Sequence, residues 1–399
     1  MLSNSLKIAL VVILLGSITA PAQTACGSTK LICLIPTALH TTSSTFNFVN
    51  SAFGTQIGQL PLATPASGFI FTFDKATGVY TASQESFGPL LAERAETIGR
   101  HRFYLAFTYQ RFMFSDIDGN DLKNIPILFS FFSAGGQLAA VTDTRNRLDT
   151  TIDQYVAFGT FGLTDRIDVS LAVPSERISV GLRSTGTEHS TTSDAQATFS
   201  QSLAGSASGV GDVVLSAKAT VLKHERLGAA VGMELRFPSG DDQNFLGSGA
   251  FGVKPYLVFS RRGRMAPHLN LGYQWNANSL LAKDQNGDHR LPSYFNYTAG
   301  ADIAVTKRVT VVGDLVGQYF FDAPQVSTPR TVSPNVNNVP RNFSSVVQVN
   351  GSYQIHNLGV GVKANLVWKL LLTANALIKL DDGGMRAKVV PLVGVSYSF

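Results

Sequence analysis

Beyond residue 100, apolar and polar residues alternate along most of the chain. In HLNLGYQWN, Leu269, Leu271, Tyr273 and Trp275 fall on one face and His268, Asn270, Gln274 and Asn276 on the other. Period two is the repeat of a strand, with successive side chains on opposite sides. The split recurs in DVVLSAKATV, where Val213, Leu215, Ala217 and Val221 oppose Asp212, Ser216, Lys218 and Thr220. It recurs again in GAAVGMELRF, where Val231, Met233 and Leu235 oppose Gly232, Glu234 and Arg236. The same pattern predicts strands over 102–114, 152–163, 166–182, 210–222, 226–238, 250–260, 265–276, 294–305, 308–321, 352–365, 369–380 and 387–399.

A soluble sandwich alternates too, turning its apolar face inward. Two features favour a membrane barrel instead. The segments exceed the 5–6 residues common in globular strands and reach the 9–11 that cross a bilayer at a tilt. The connections also alternate in length. TDR (164–166), KHER (223–226), RRGR (261–264), TKR (306–308) and LVWK (366–369) are tight, while 183–209, 239–249, 277–293 and 323–343 are long and polar. Short periplasmic turns and long outer loops belong to transmembrane barrels, and closure removes the edges that lipid forbids. The expected fold is all-β, an antiparallel transmembrane β-barrel of about 12 strands in the bacterial outer membrane, spanning 101–399. IPILFSFF (125–132) pairing near 137–143 would raise the number to 14, and Ser345–Ile355 reads as a possible outward extension of the tenth strand. Pro255 and Pro391 fall inside strands, where each removes a ladder donor.

Composition fits this reading. Charged residues are 15% of the chain, below the roughly 25% of soluble domains, and Gly numbers 36. The formal charge of +5 is spread out, its densest knot being Arg261–Arg264. Nucleic-acid binding would want a clustered basic stripe and is excluded. At the N-terminus, Lys7, the apolar run Ile8–Ile18 and small residues at Ala20–Ala22 read as a signal peptide over 1–25. The run is too short for a membrane span of about 20 residues. Cys26 is also weighed as a lipidation site, although Gln23 is wrong for one. Cys26 and Cys33 could close a small disulfide loop in an oxidising compartment. Residues 26–100 do not read as barrel. GFIFTFDKATGVYTAS suggests a small hairpin and Pro89–Ile98 a short helix; the segment is either a periplasmic extension or a plug in the lumen.

Four stretches carry a resemblance: FGTFGLTDRIDVSLAVP (158–174), GVGDVVLSAKATVL (209–222), RFPSGDDQNFLGSGAFGVKPYLVFS (236–260) and LDDGGMRAKVVPLVGVSYSF (380–399). They resemble the bacterial outer-membrane family "putative MetA-pathway of phenol degradation", over roughly residues 85 to 399. That family is grouped loosely with channels for long-chain fatty acids and aromatic hydrocarbons. The resemblance implies an outer-membrane barrel passing small hydrophobic compounds.

The alternation assigns Asp168, Asp212, Glu234, Asp302 and Asp314 to the inner face as acids, with Lys218, Arg236, Lys254, Lys363 and Lys379 as bases. Such a balanced set suits a paired network stiffening a narrow lumen better than an ion-selective ring, which would be lopsided; the functional alternative is that some line a substrate route. An apolar solute would want an apolar pocket, for which IPILFSFF and Phe46, Phe48, Phe53, Phe69, Phe71 and Phe73 are candidates, unless these only pack the plug. DIDGND (116–121), GDDQN (240–244), DQNGDH (284–289) and DDGG (381–384) carry oxygen ligands that calcium accepts, but lack the twelve-residue loop pattern and read as turns. No hydrolase, metalloprotease or nucleotide-binding motif is present, and His189 beside Ser and Asp194 is a weak case for a barrel hydrolase. No catalytic residue, cofactor or metal is expected. The expected function is an outer-membrane channel for passive passage of small hydrophobic or aromatic molecules; the alternative is a closed structural or surface-contact barrel. Its partners would be membrane lipid, the barrel-insertion machinery and the solute. The end VVPLVGVSYSF puts Tyr397 and Phe399 at the periplasmic rim, and a terminal aromatic resembles the signal that the insertion machinery reads.

Overall fold

The computed structural model describes residues 30–34, 47–62, 71–74, 79–82, 86–89, 91–133, 135–284, 287–367 and 369–399. The expected signal peptide and Cys26 lie outside them, so the pairing expected for Cys33, which is buried, does as well.

Among these residues, twelve staves close into one antiparallel ring. They are β1 Phe103–Ile117, β2 Leu138–Gly162, β3 Ile167–Ser190, β4 Val213–His224, β5 Leu227–Phe237 and β6 Gly252–Arg261. They continue with β7 Met265–Asn276, β8 Tyr294–Thr306, β9 Val309–Val326, β10 Gln348–Val367, β11 Leu370–Lys379 and β12 Val389–Ser398. Each stave pairs with the next, and β12 returns to β1 through Ser398↔Tyr104 up to Leu392↔Gln110. The bilayer explains the alternation. Leu105, Phe107, Leu171, Val231, Leu257, Leu269, Val360 and Val393 stay exposed because their face meets lipid. Rings border this band, with Phe103 against Phe161 (4.6 Å) and Tyr397 against Phe399 (4.8 Å) at the periplasmic rim, and Tyr109 against Tyr155 (4.9 Å) and Tyr319 against Phe321 (5.0 Å) at the outer one. Aromatic girdles occupy these two levels in outer-membrane barrels.

The staves are longer on the outer side than the alternation predicts. β2 and β3 continue pairing out to Ala140↔Ser190. Ile125–Phe132 pairs along 138–146 of β2, and Gln196–Val210 along β3. The stretch 183–209, expected as a long outer loop, is therefore a hairpin. Ile125–Phe132 adds no stave, which settles twelve over fourteen. β10 begins at Gln348, so the extension expected there is present. Pro391 pairs with Ala376 of β11, whereas pairing with β1 starts one residue later, at Leu392. The missing donor thus sits where the ladder is interrupted.

Described parts of the N-terminal segment meet the inner faces and outer loops of the ring. Leu31–Cys33 forms one 3-10 turn at the outer mouth, where Lys30 pairs with Asp241 at 2.5 Å and the Leu31 N–H donates to Asn244 at 3.1 Å. Helix α1, Asn47–Ile57, packs in the outer half of the lumen. Phe53 meets Phe245 edge-on at 5.1 Å. Gly58 lets the helix end approach the loop before β6, because a Cβ there would come within 3.1 Å of the Ser248 Cα. Deeper in, Gln59 accepts from Asn276 at 3.0 Å, and the Pro61 carbonyl accepts from Gln110 at 2.8 Å. The small hairpin forms as expected, Phe71–Asp74 against Val79–Ala82. Pro89–Ile98, expected as a short helix, is irregular over its described residues 89 and 91–98. The reason is that barrel side chains take up the backbone groups that a helix would have bonded internally, as described below.

If the chain runs from the outer mouth inward, an epitope inserted between Thr29 and Lys30 is expected to bind antibody on intact cells. Binding only after the outer membrane is permeabilised would contradict the threaded path.

Candidate functional site

The inward faces of the staves present charges at three depths. At the periplasmic end they close on residues 86–89 and 91–98. The Arg94 guanidinium pairs with Asp302 at 2.5 Å, with 2% and 0% of the two side chains exposed, and it also donates to the Ser86 hydroxyl. Lys218 pairs with Glu93 at 3.0 Å and donates to the Arg94 carbonyl at 2.8 Å. The Asp168 carboxylate accepts the Ile98 N–H at 3.0 Å. Lys363 donates to the Pro89 carbonyl at 2.7 Å. The Ala95 N–H donates to Ser260 at 3.0 Å, the Ala95 carbonyl accepts from the Thr220 hydroxyl, and the Phe87 N–H donates to Thr310 at 3.0 Å. Asp314 joins indirectly, through His268 at 2.8 Å, whose other ring nitrogen faces Asp302 at 3.5 Å. Hydrogen bonds to charged groups contribute roughly 1.5–3 kcal/mol each, so six staves hold this short irregular segment firmly.

At mid-depth lies a cavity of about 180 Å³. Its roof is Leu60, Pro61 and Leu62, and its floor Leu91, Ala92 and Glu93. Glu234 and Lys254 pair across adjacent staves in its wall at 2.6 Å. Arg236 donates to Asn276 at 2.6 Å and stands 3.8 Å from Asp212.

At the outer end the charges hold loops. Asp212 accepts the Ser248 N–H at 2.8 Å and its hydroxyl. Lys379 pairs with Asp116 at 2.8 Å and Asp382 at 2.6 Å. Asp118 accepts the Val326 and Gly384 N–H groups, both at 2.8 Å. Burial pushes its carboxyl above the ordinary range, and these two donors draw it part of the way back. In DIDGND, therefore, the chain's own donors take Asp116 and Asp118. Under these loops a small apolar void of about 30 Å³ brings Phe53 together with Ile117, Leu122, Ile125 and Ile127. Phe46 and Phe69 lie outside the described residues, and for Phe48, Phe71 and Phe73 only the backbone element is described. His189 rests against Phe343 at 5.3 Å, and Asp194 accepts from Asn337 at 2.7 Å, so the two do not pair.

The ten charges are thus divided. Asp168, Lys218, Asp302 and Lys363 grip the N-terminal segment directly and Asp314 through His268; Glu234, Arg236 and Lys254 flank the cavity; Asp212 and Lys379 hold loops. Sequence reasoning missed the partners, Glu93, Arg94, Ser260 and His268. One signal was available: ERAE (93–96) is a dense charge cluster in a segment otherwise poor in charge.

A closed twelve-stave ring with an exposed apolar band, two aromatic girdles and a polar lumen defines an outer-membrane β-barrel. The chain belongs to the family described as "Putative MetA-pathway of phenol degradation", whose model matches residues 130–384. No curated protein matches it. Similar solved structures include an outer membrane channel from Pseudomonas putida F1, at 14% identity and TM-score 0.46 over 76% of this chain and 98% of that one. The P. putida toluene transporter TodX is similar at 8% identity and TM-score 0.34, over 75% and 89% of the two chains. A Pseudomonas aeruginosa FadL homologue is similar at 9% identity and TM-score 0.30, over 75% and 89%.

Proposed function

We propose that the protein is an outer-membrane channel for passive passage of small hydrophobic or aromatic molecules, stoppered by its own N-terminal segment. The observation that carries this reading is the way residues 86–89 and 91–98 are held. Their grip is polar and faces a lumen of polar and charged side chains, which water can rehydrate when the segment leaves. A purely structural core would be apolar and could not open without exposing that surface. The family description names phenol degradation, and passage of small aromatic compounds is the part of such a pathway that a barrel can serve. A closed structural barrel is the second reading, favoured by the pairing of the lumen charges.

The test measures conductance in planar bilayers, together with uptake of a labelled one-ring compound by cells whose outer leaflet is lipopolysaccharide, with and without the protein. Full-length protein is expected to conduct in rare openings and to speed uptake. If neither it nor a variant lacking 26–100 conducts or alters uptake, the structural reading stands instead.

A further inference from the structure

We propose that the periplasmic rim of the barrel is a docking surface for anionic phospholipid, which it grips by the headgroup phosphates. This holds whether or not the barrel conducts.

The rim consists of the tight turns between staves and the approach to β1, residues 99–102, 163–166, 223–226, 261–264, 306–308 and 366–369. These stretches contain eleven of the 32 Lys and Arg but only two of the 27 Asp and Glu, namely Asp165 and Glu225. They therefore carry +9, and the rest of the chain −4, of the formal +5. A charge that looks dispersed along the sequence is gathered by the fold at one end of the barrel.

One position repeats around that end. The residue before each stave that rises from the periplasm is basic: Arg102 before β1, Arg166 before β3, Arg226 before β5, Arg264 before β7, Arg308 before β9 and Lys369 before β11. In sequence they stand 38 to 64 residues apart; closure of the ring sets them at one level. The backbone there is fixed. The carbonyls of Arg102, Arg166, Arg226, Arg264 and Arg308 accept the N–H groups of Gly162, Thr220, Arg262, Ala304 and Asn365 along the following stave, at 2.7 to 3.0 Å.

The level is that of lipid headgroups. The next residues in the chain, Phe103, Leu227 and Met265 among them, are exposed and apolar, and a strand rises only about 3.3 Å per residue. Arg166, Arg226, Arg264 and Arg308 are exposed, and among the described residues none of them forms an ion pair. Arg264 donates from Nε to the Ala304 carbonyl at 3.1 Å and keeps its two amino groups for other acceptors. Arg262, by contrast, pairs with Glu96 at 3.0 Å. Five of the six repeated positions are Arg, whose planar fork meets a phosphate through two hydrogen bonds. Its stem can lie along apolar surface while the charge reaches the headgroup. The distribution identifies the partner. A periplasmic protein would want the charge on one side, whereas a cation at every second stave matches a lipid that surrounds the barrel, and basic residues at a membrane surface attract anionic headgroups.

The experiment reconstitutes the full-length protein in phosphatidylcholine bilayers holding a trace of spin-labelled phosphatidylglycerol or spin-labelled phosphatidylcholine. The fraction of each label immobilised at the protein surface is read by electron paramagnetic resonance. Phosphatidylglycerol is expected to be favoured about threefold or more at low salt, and less at high salt, where exposed charges are screened. Arg166→Gln, Arg226→Gln, Arg264→Gln and Arg308→Gln together keep the carbonyls that accept the ladder bonds and are expected to bring the two lipids to parity. Lys123→Gln, Arg145→Gln, Arg147→Gln and Arg183→Gln together remove the same charge from the outer side and are expected to keep the wild-type preference. Resistance to unfolding by detergent on heating shows that each barrel is intact. Should the fourfold rim variant fail to fold, Arg226→Gln and Arg264→Gln singly are each expected to lower the preference in part. The proposal is overturned by a wild type that takes both lipids alike, which would leave the rim to an acidic periplasmic protein. It is also overturned by rim variants that keep the preference, or by an outer variant that loses as much of it as the rim variant does.

Discussion

Arg94→Ala is expected to open the barrel. With the segment still seated, the substitution removes the guanidinium from the fully buried Asp302 carboxylate and leaves it the Ser86 hydroxyl and His268, at 3.5 Å. Removing one partner of a buried pair costs about 3–5 kcal/mol, or roughly two to four powers of ten in a docking equilibrium. The seated state bears that cost. Once the segment has left, water reaches Asp302 and the penalty disappears. The relief is therefore undocking of residues 86–98, with the ring itself intact. In planar bilayers the variant should spend at least tenfold more time conducting than the wild type, approaching a variant lacking 26–100. Arg94→Leu combined with Asp302→Leu supplies the control, because replacing a buried pair by apolar side chains is often neutral or stabilising. That double variant should stay shut. Wild-type conductance in both Arg94→Ala and the deletion would remove the stopper from the account. An open double variant would show that the size of Arg94 matters, and its charge does not.

The staves were legible because a bilayer imposes one simple demand, an apolar residue at every second position over about ten residues. Val231 and Leu269 obey it and were read correctly. Beyond the lipid that demand lapses. Thr142, Thr144, Arg145, Asn146 and Arg147 continue β2 with polar residues on both faces, so nothing in their pattern distinguishes strand from loop. The strand-to-strand ladder still forms there, because β3 supplies partners out to Ser190. Residues 91–98 failed for a related reason. Their local sequence is compatible with a helix, but Ala95 and Ile98 bond to Ser260 and Asp168, 165 and 70 residues away. Such distant partners override a weak local preference. The site was legible in the same partial way. Alternation identifies a side chain's face, so Asp302 and Lys218 could be picked out. It says nothing of what comes from outside the sheet to meet them, so Arg94 and Glu93 could not.

Removing Phe399 is expected to deplete the protein from the membrane far more than it destabilises what remains. Phe399 donates its N–H to the Phe103 carbonyl at 2.8 Å, across the seam that closes the ring, and stacks edge-on against Tyr397 at 4.8 Å. A hydrogen bond contributes roughly 0.5–1.5 kcal/mol net and such a ring pair about as much again. Both are small beside a seam that pairs continuously from Leu392 to Ser398. The ring is also 59% exposed, so little apolar burial is lost with it. Thermodynamics alone therefore predicts a barely altered barrel. A large fall in folded protein in the outer membrane, about tenfold, would have to arise during insertion, which is the result expected if the insertion machinery reads the terminal aromatic. Phe399→Ala keeps the backbone N–H and should show the same fall, whereas Phe399→Trp should not. The decisive comparison is between quantity and quality: the membrane level measured by blot, against the unfolding temperature and conductance per molecule of the fraction that inserts. Normal levels in Phe399→Ala, or an unfolding temperature that drops in step with the level, would place the role of this residue in the seam.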